Sequence, residues 1–177
     1  VKTDVLDLYI DLKGGNVISA KMPNYKVSLG SEESLALLES NNNHYYVVES
    51  GLFGKNGYDS SKNGPVPTYT AKEPRYELKD GQHELSIDLN FTSEEGVNVT
   101  KRYTFQRDSY LINVSYTIAN QSDNPWEANL SGKIVRDRTG DPSSQNSMGM
   151  QSFLGMALSS ADKPYEKYDF EDMLEEP

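Results

Sequence analysis

His44 and His83 are the only two histidines in the chain. Brought together they would make an acid–base couple near neutral pH, because imidazole titrates there. Both fall in strand-like runs, and the plainer reading is two surface or edge histidines. Zinc needs a closed set of nitrogen, sulfur or carboxylate ligands. With no cysteine and two scattered histidines, the sequence points away from a metal site. Carboxylates gather at Asp4, Asp7 and Asp11, and again at Glu171, Asp172, Glu175 and Glu176. Asp7 and Asp11 share the outward face of a strand, and the second group suits the side of a short helix, so both read as solvated faces. The stretch DRTGDPSSQN has the composition of a calcium loop without the EF-hand spacing. There is no Gly-x-Ser-x-Gly elbow, no phosphate-cradling glycine loop and no dinucleotide fingerprint. These residues predict no catalytic site, no metal and no cofactor.

The elements that would position any site are strands. In DVLDLYIDLKGGNVISAKMPNY, Leu6, Leu8, Ile10 and Leu12 alternate with Asp7, Tyr9 and Asp11. Successive strand side chains point to opposite faces, so this reads as a half-buried strand, a tight turn at Gly14-Gly15 and a second strand through Met22. Pro23 to Ser34 reads as loop, then SLALLES and HYYVVES as two more strands, since Val and Tyr favour the pleated surface. Gly51 to Pro67 is rich in Gly, Pro and Asn and reads as a long surface loop. From Arg75 to Val135 the pattern predicts a meander of about five antiparallel strands, with Asp80-Gly81 as a hairpin turn. Within it, Ile112, Val114, Tyr116 and Ile118 mark the core face of one strand. Arg136 to Ser147 reads as loop. MGMQSFLGMAL is apolar, and its period does not choose between strand and helix. Phe170 to Glu176 suits a short helix capped by Asp169, with Phe170, Met173 and Leu174 on one face. The class is therefore all-β, with two stacked, mainly antiparallel sheets and a short helical C-terminal segment.

Composition limits the function. The chain of 177 residues suits one domain, 1–177, and its formal net charge is −10. Nucleic acid partners call for clustered Lys and Arg, which this balance lacks. No apolar run approaches the ~20 residues of a membrane helix, and no signal peptide is visible. Zero cysteines is compatible with an oxidising compartment such as a bacterial periplasm. Five Asn-x-Ser/Thr triplets, at Asn90, Asn98, Asn113, Asn120 and Asn129, lie largely in strand runs and read as chance. Twelve tyrosines are unusual. A strand tyrosine covers a core and keeps its hydroxyl wet, so most read as packing.

VKTDVLDLYIDLKGGNVISAKMPNY, LLES, SGLFGKNGYDSSKNGPVPTY, TKRYTFQRDSYLINVSYTIANQSDNPWE and SSADKPYEKYDFEDM stand in this order along the chain. Together they resemble the large periplasmic domain of the YidC family of bacterial membrane-protein insertases. The resemblance implies a β-supersandwich, distantly similar to sugar mutarotase and carbohydrate-binding domains. It places the domain on the periplasmic side of the inner membrane, between two transmembrane helices absent from this chain. It implies a protein that inserts and folds membrane proteins, alone or with the Sec translocon. It also implies a contact with SecF of SecDF through a region towards the C-terminal part. The family continues with further strands and a helix, so the chain is expected to be cut short at Pro177. Val1 is not an initiator methionine, which fits a piece of a longer protein.

The resemblance carries over no catalytic residue. For a partner surface the sequence offers Tyr165, Tyr168 and Phe170, bulky apolar residues in a charged segment of the kind interfaces enrich. The simpler role for them is docking the tail. A second hypothesis is a soluble carbohydrate-binding module or mutarotase-like epimerase, which would need an aromatic cleft holding His44 or His83. A third is a domain that holds polypeptide by adding it to a free strand edge.

Overall fold

The computed structural model describes residues 1–60, 64–140 and 153–175. The chain divides into two compact units, Val1–Arg136 and Asp137–Pro177.

The first unit holds two antiparallel sheets. One runs in the order β1-β2-β3-β4-β9, built from β1 (Asp7–Asp11), β2 (Asn16–Lys26), β3 (Ser34–Ser40), β4 (Tyr45–Phe53) and β9 (Asn129–Arg136). The other runs β5-β6-β7-β8, from β5 (Thr70–Ala71), β6 (Glu84–Thr92), β7 (Val97–Gln106) and β8 (Ile112–Asn120). One apolar cluster joins them. Leu8, Val17, Ala20, Leu38 and Leu52 come from the five-stranded sheet, and Ile87, Leu89, Val97, Val99, Tyr103 and Phe105 from the four-stranded one. The alternation that predicts an inward face on β8 holds, with Ile112, Val114, Tyr116 and Ile118 packed against this cluster. The protein is all-β, as its sequence predicts.

The opening hairpin forms as read. β1 pairs with β2, and the turn is made by Gly14 and Gly15 with φ of 77° and 62°. Positive φ suits glycine, which has no Cβ to clash. Two boundaries differ from the sequence reading. β2 continues through Pro23 to Lys26, so the following loop begins only at Val27. β4 likewise runs on through Gly51 to Phe53, because it has a partner along that whole stretch in β9, from Phe53↔Asn129 to Tyr46↔Arg136.

The largest difference is in the expected meander. Asp80-Gly81 makes a turn, with the Gln82 amide donating to the Lys79 carbonyl, but no hairpin. The residues before it are claimed by the N-terminus: the Lys2 amide donates to Tyr76 O and the Leu78 amide to Lys2 O, both at 2.9 Å. β9 then leaves the meander to join β4 in the other sheet. The connection between the sheets carries Trp126 and Ala128, which pack on the core.

The second unit contains β10 (Gly155–Leu158) paired antiparallel with β11 (Glu166–Asp169), followed by α1 (Asp172–Glu175). MGMQSFLGMAL thus yields a strand from Gly155; its residues 148–152 lie outside the described residues, as do 141–147 of the preceding expected loop. Asp169 caps the helix as predicted, its Oδ1 accepting from the amides of Glu171 and Asp172 at 2.8 and 2.9 Å. Asp172 returns the bond, its carboxylate accepting from the Asp169 amide at 3.0 Å. This is a reciprocal capping box.

Candidate functional site

Val97, Val99, Lys101, Tyr103 and Phe105 lie on one face of β7, and all five are buried. Lys101 is 0% exposed. A charge taken out of water must be paired and hydrogen-bonded or it is very costly. Here the Lys101 ammonium donates to Ser50 O at 2.8 Å, Gly14 O at 3.1 Å and Asn16 Oδ1 at 3.4 Å. The rings of Tyr103 and Tyr116 each lie 5.5 Å from Nζ. Burial pulls the Lys101 value down to about 8, and the Asp59 carboxylate opposes that shift. Burial also raises Asp59, while a hydrogen bond from the Leu52 amide to its Oδ2, at 2.7 Å, works the other way.

The same junction ties backbone carbonyls of the five-stranded sheet to tyrosines of the four-stranded one. Tyr103 OH donates to Gly15 O at 2.6 Å, and Tyr116 OH to Ser50 O at 2.9 Å. Gly15 must be glycine twice over. Its φ is positive, and a Cβ there would stand 3.1 Å from Lys101 Cδ and 3.2 Å from Leu89 Cδ1.

The loop read as a surface excursion is part of this construction. Asp59 projects to the junction, and Tyr58 stacks on Trp126 at 5.9 Å and meets Phe91 edge-on at 5.1 Å. The sequence reading missed Lys101, Asp59, Asn16 and Ser50. The signal for Lys101 was present, since it shares parity with Val97, Val99, Tyr103 and Phe105.

A groove of about 660 Å³ opens beside β1. Leu8, Ile10, Tyr76, Ile87 and Leu89 are among its lining residues, and neither histidine is. His44 stands just before β4 and meets Tyr46 edge-on at 6.5 Å. His83 stands before β6 and is exposed, its carbonyl accepting from the Arg107 amide. The two belong to turns of different sheets. Among the described residues, no three His, Cys, Asp or Glu side chains are grouped as metal ligands would be.

The three candidate partner residues lie in the second unit but do not form one patch. Tyr165 is 67% exposed and precedes β11. Lys167 stands over its ring at 5.5 Å and over that of Phe153 at 4.7 Å. Tyr168 pairs in register with Met156 and, by strand alternation, faces away from Lys167. Tyr168 and Phe170 are both half-buried.

Two facing antiparallel sheets joined across a buried lysine define the class, an all-β domain of sandwich type. The comparisons with known proteins give the family. Residues 1–177 match the family described as the YidC periplasmic domain, and the chain belongs to it. The chain is 49% identical over 99% of its length to the membrane protein insertase YidC of Marinobacter nauticus, covering 31% of that protein. It is 50% identical over 99% of its length to that of Hahella chejuensis, covering 30%, and 41% identical over 98% to that of Pseudomonas putida, covering 31%. The chain thus spans about a third of the curated relatives it matches. No helix among the described residues is long and apolar enough to cross a membrane.

Proposed function

We propose that this chain is the periplasmic interaction platform of an inner-membrane insertase, a non-catalytic domain of a protein that helps insert and fold membrane proteins. The observation that carries this is the family match over all 177 residues, joined to relatives that are each named a membrane protein insertase. The partners in this reading are nascent membrane proteins, met through the full-length protein, and the Sec translocon with SecDF. The surface is in the second unit, centred on the exposed ring of Tyr165, while Tyr168 and Phe170, both half-buried, belong to the packing of that unit. Large aromatic side chains are the usual anchors of such contacts. A carbohydrate-binding or epimerase reading is not favoured: the named relatives are insertases, and the groove beside β1 holds no histidine.

The test is site-specific photo-crosslinking in the full-length protein, in native inner membranes. A crosslinker at Tyr165 should give an adduct with a SecDF subunit, and one at the exposed Glu94 on the first unit should not. Equal adducts at both positions, or none at Tyr165 while SecDF is present, would overturn the assignment. A native protein fractionating as a soluble species of about 20 kDa would overturn the insertase reading as a whole.

A further inference from the structure

The oxygen atoms around Lys101 have a property that a merely tolerated buried lysine does not need: two of the three accept a second bond that does not involve the lysine, and the third sits on a turn that is fixed independently of it. Ser50 O also accepts from Tyr116 OH at 2.9 Å. Asn16 Oδ1 also accepts from the Ser50 amide at 3.2 Å. Gly14 is fixed on both sides, by its own amide donating to Pro67 O at 2.8 Å and by the neighbouring Gly15 O accepting from Tyr103 OH at 2.6 Å. Three acceptors meet the three protons of an ammonium, and these three oxygens offer no donor to a neutral amine's lone pair. Two tyrosine rings flank the charge, and ring faces attract cations. The Asp59 carboxylate, held by the Leu52 amide, supplies a balancing negative charge.

We propose that this cage is a cation site in its own right, shaped for a primary ammonium head group, and that its resident ligand is the chain's own side chain. The ammonium bonds two stretches that are distant in sequence, the turn at residues 14–16 and β4 at Ser50, with the Asp59 carboxylate acting on it through charge. Cutting the lysine back to alanine removes three methylenes and the ammonium, which together have the form of n-propylammonium. A ligand that binds only the folded state stabilises it by mass action. The emptied cage therefore takes up free n-propylammonium, and the domain recovers stability as it does.

The experiment is urea unfolding of the 177-residue chain and of Lys101→Ala, each with n-propylammonium chloride, with 1-propanol, and with sodium chloride at matched ionic strength. The alanine variant should show a lowered midpoint that rises saturably with n-propylammonium, the folded-to-unfolded ratio gaining about tenfold or more near saturation. The unmodified chain, its cage already filled, should not respond in this way. Rescue by 1-propanol equal to that by n-propylammonium would overturn the proposal, leaving only a space to be filled. So would an equal response in the unmodified chain. If Lys101→Ala does not fold alone, it should refold when n-propylammonium is added, and failure to do so counts against the cage. Nitrogen NMR of the unmodified chain gives a second reading. Near pH 6.5 the Lys101 side chain should show a three-proton ammonium protected from solvent exchange. A neutral amine, or an ammonium exchanging as fast as the surface lysines, would overturn the proposal.

Discussion

Strands β7 and β9 each carry a lysine near the middle of an alternating run, and the two lysines meet opposite fates. β7 lies between β6 and β8 at the centre of its sheet and faces the other sheet. Its Lys101 is sealed among carbonyls. Among the described residues β9 has a single neighbour, β4, at the edge of its sheet. Its Lys133 remains largely in water and pairs with Glu49 at 2.8 Å. Apolar residues divide in the same way. Val97, Val99 and Phe105 of β7 are buried, whereas Leu130 and Ile134 of β9 are 63% and 67% exposed. Side-chain type does not decide burial in a sheet; the number of covering neighbours does.

The contrast breaks most visibly at the strongest core position. Phe105 is fully buried and stacks near Tyr103, ring centroids 6.5 Å apart. Phe105→Ala is expected to cost about 3–5 kcal/mol, the transfer of the ring plus the cavity it leaves. Urea unfolding should register it as a large fall in midpoint at unchanged slope. A loss below about 1 kcal/mol would mean that β7 is not the centre of the core.

Tyr103→Phe probes the junction rather than the packing. It keeps the ring and removes the hydroxyl that donates to Gly15 O. A buried carbonyl stripped of its donor costs about 1–3 kcal/mol. The loss should be non-additive with Gly15→Ala, since both act on one turn. Additivity within error would show that the hydroxyl does not hold that turn.

Much of this architecture is legible from the residues. Period-two alternation marks β1, β2, β6, β7 and β8, and it would have marked Lys101 had its parity been followed through the polar residues beside it. What the residues do not carry is long-range competition. Arg75–Lys79 has a strand pattern, yet its backbone bonds to Lys2, more than seventy positions away, rather than to β6. The Gly-rich loop looks like punctuation, and only the fold shows that Tyr58 and Asp59 turn inward from it. For the tail, composition finds Tyr165, Tyr168 and Phe170, but β11 turns Tyr168 away from Lys167, which lies over the Tyr165 ring, and residue types alone do not reveal that.

The junction also gives β7 a pH dependence. Lys101 has a folded value of about 8 against 10.5 in the unfolded chain. Between those values the unfolded chain binds more protons, so stability rises with pH. Tyr103 and Tyr116 flank it and Tyr69 packs at the same Gly15 turn; burial raises all three, Tyr116 to about 12. Unfolded tyrosine ionises near 10. Above that pH the folded chain holds more protons and stability falls. Asp59 is the other charged group facing the ammonium; burial raises it, and the Leu52 amide and the lysine charge oppose that shift. The urea midpoint should rise from pH 7.5 to a maximum near 10, with a gain of order 1–2 kcal/mol, and then decline. Lys101→Met should flatten the rising limb and keep the falling one. A midpoint that falls steadily from pH 7.5 in the unmodified chain would place the lysine outside the junction.

The smallest effects belong to β9, and they sharpen the comparison by being small. Ile134 stands in register with Val48, on the face that also carries Ser50 and Leu52. Val48 and Ile134 are nonetheless exposed, so the opposing sheet does not cover this corner. Ile134→Thr keeps β-branching and removes little buried surface, and it should change stability by no more than about 0.5 kcal/mol. Lys133→Ala removes an exposed pair with Glu49, worth about 0.2–1 kcal/mol, and 1 M salt should erase the difference because exposed pairs are screened. The same two substitutions on β7 positions would be severe. A loss above about 2 kcal/mol for Ile134→Thr would show that β9 is covered in solution, and burial by neighbours would then have to be argued for both strands alike.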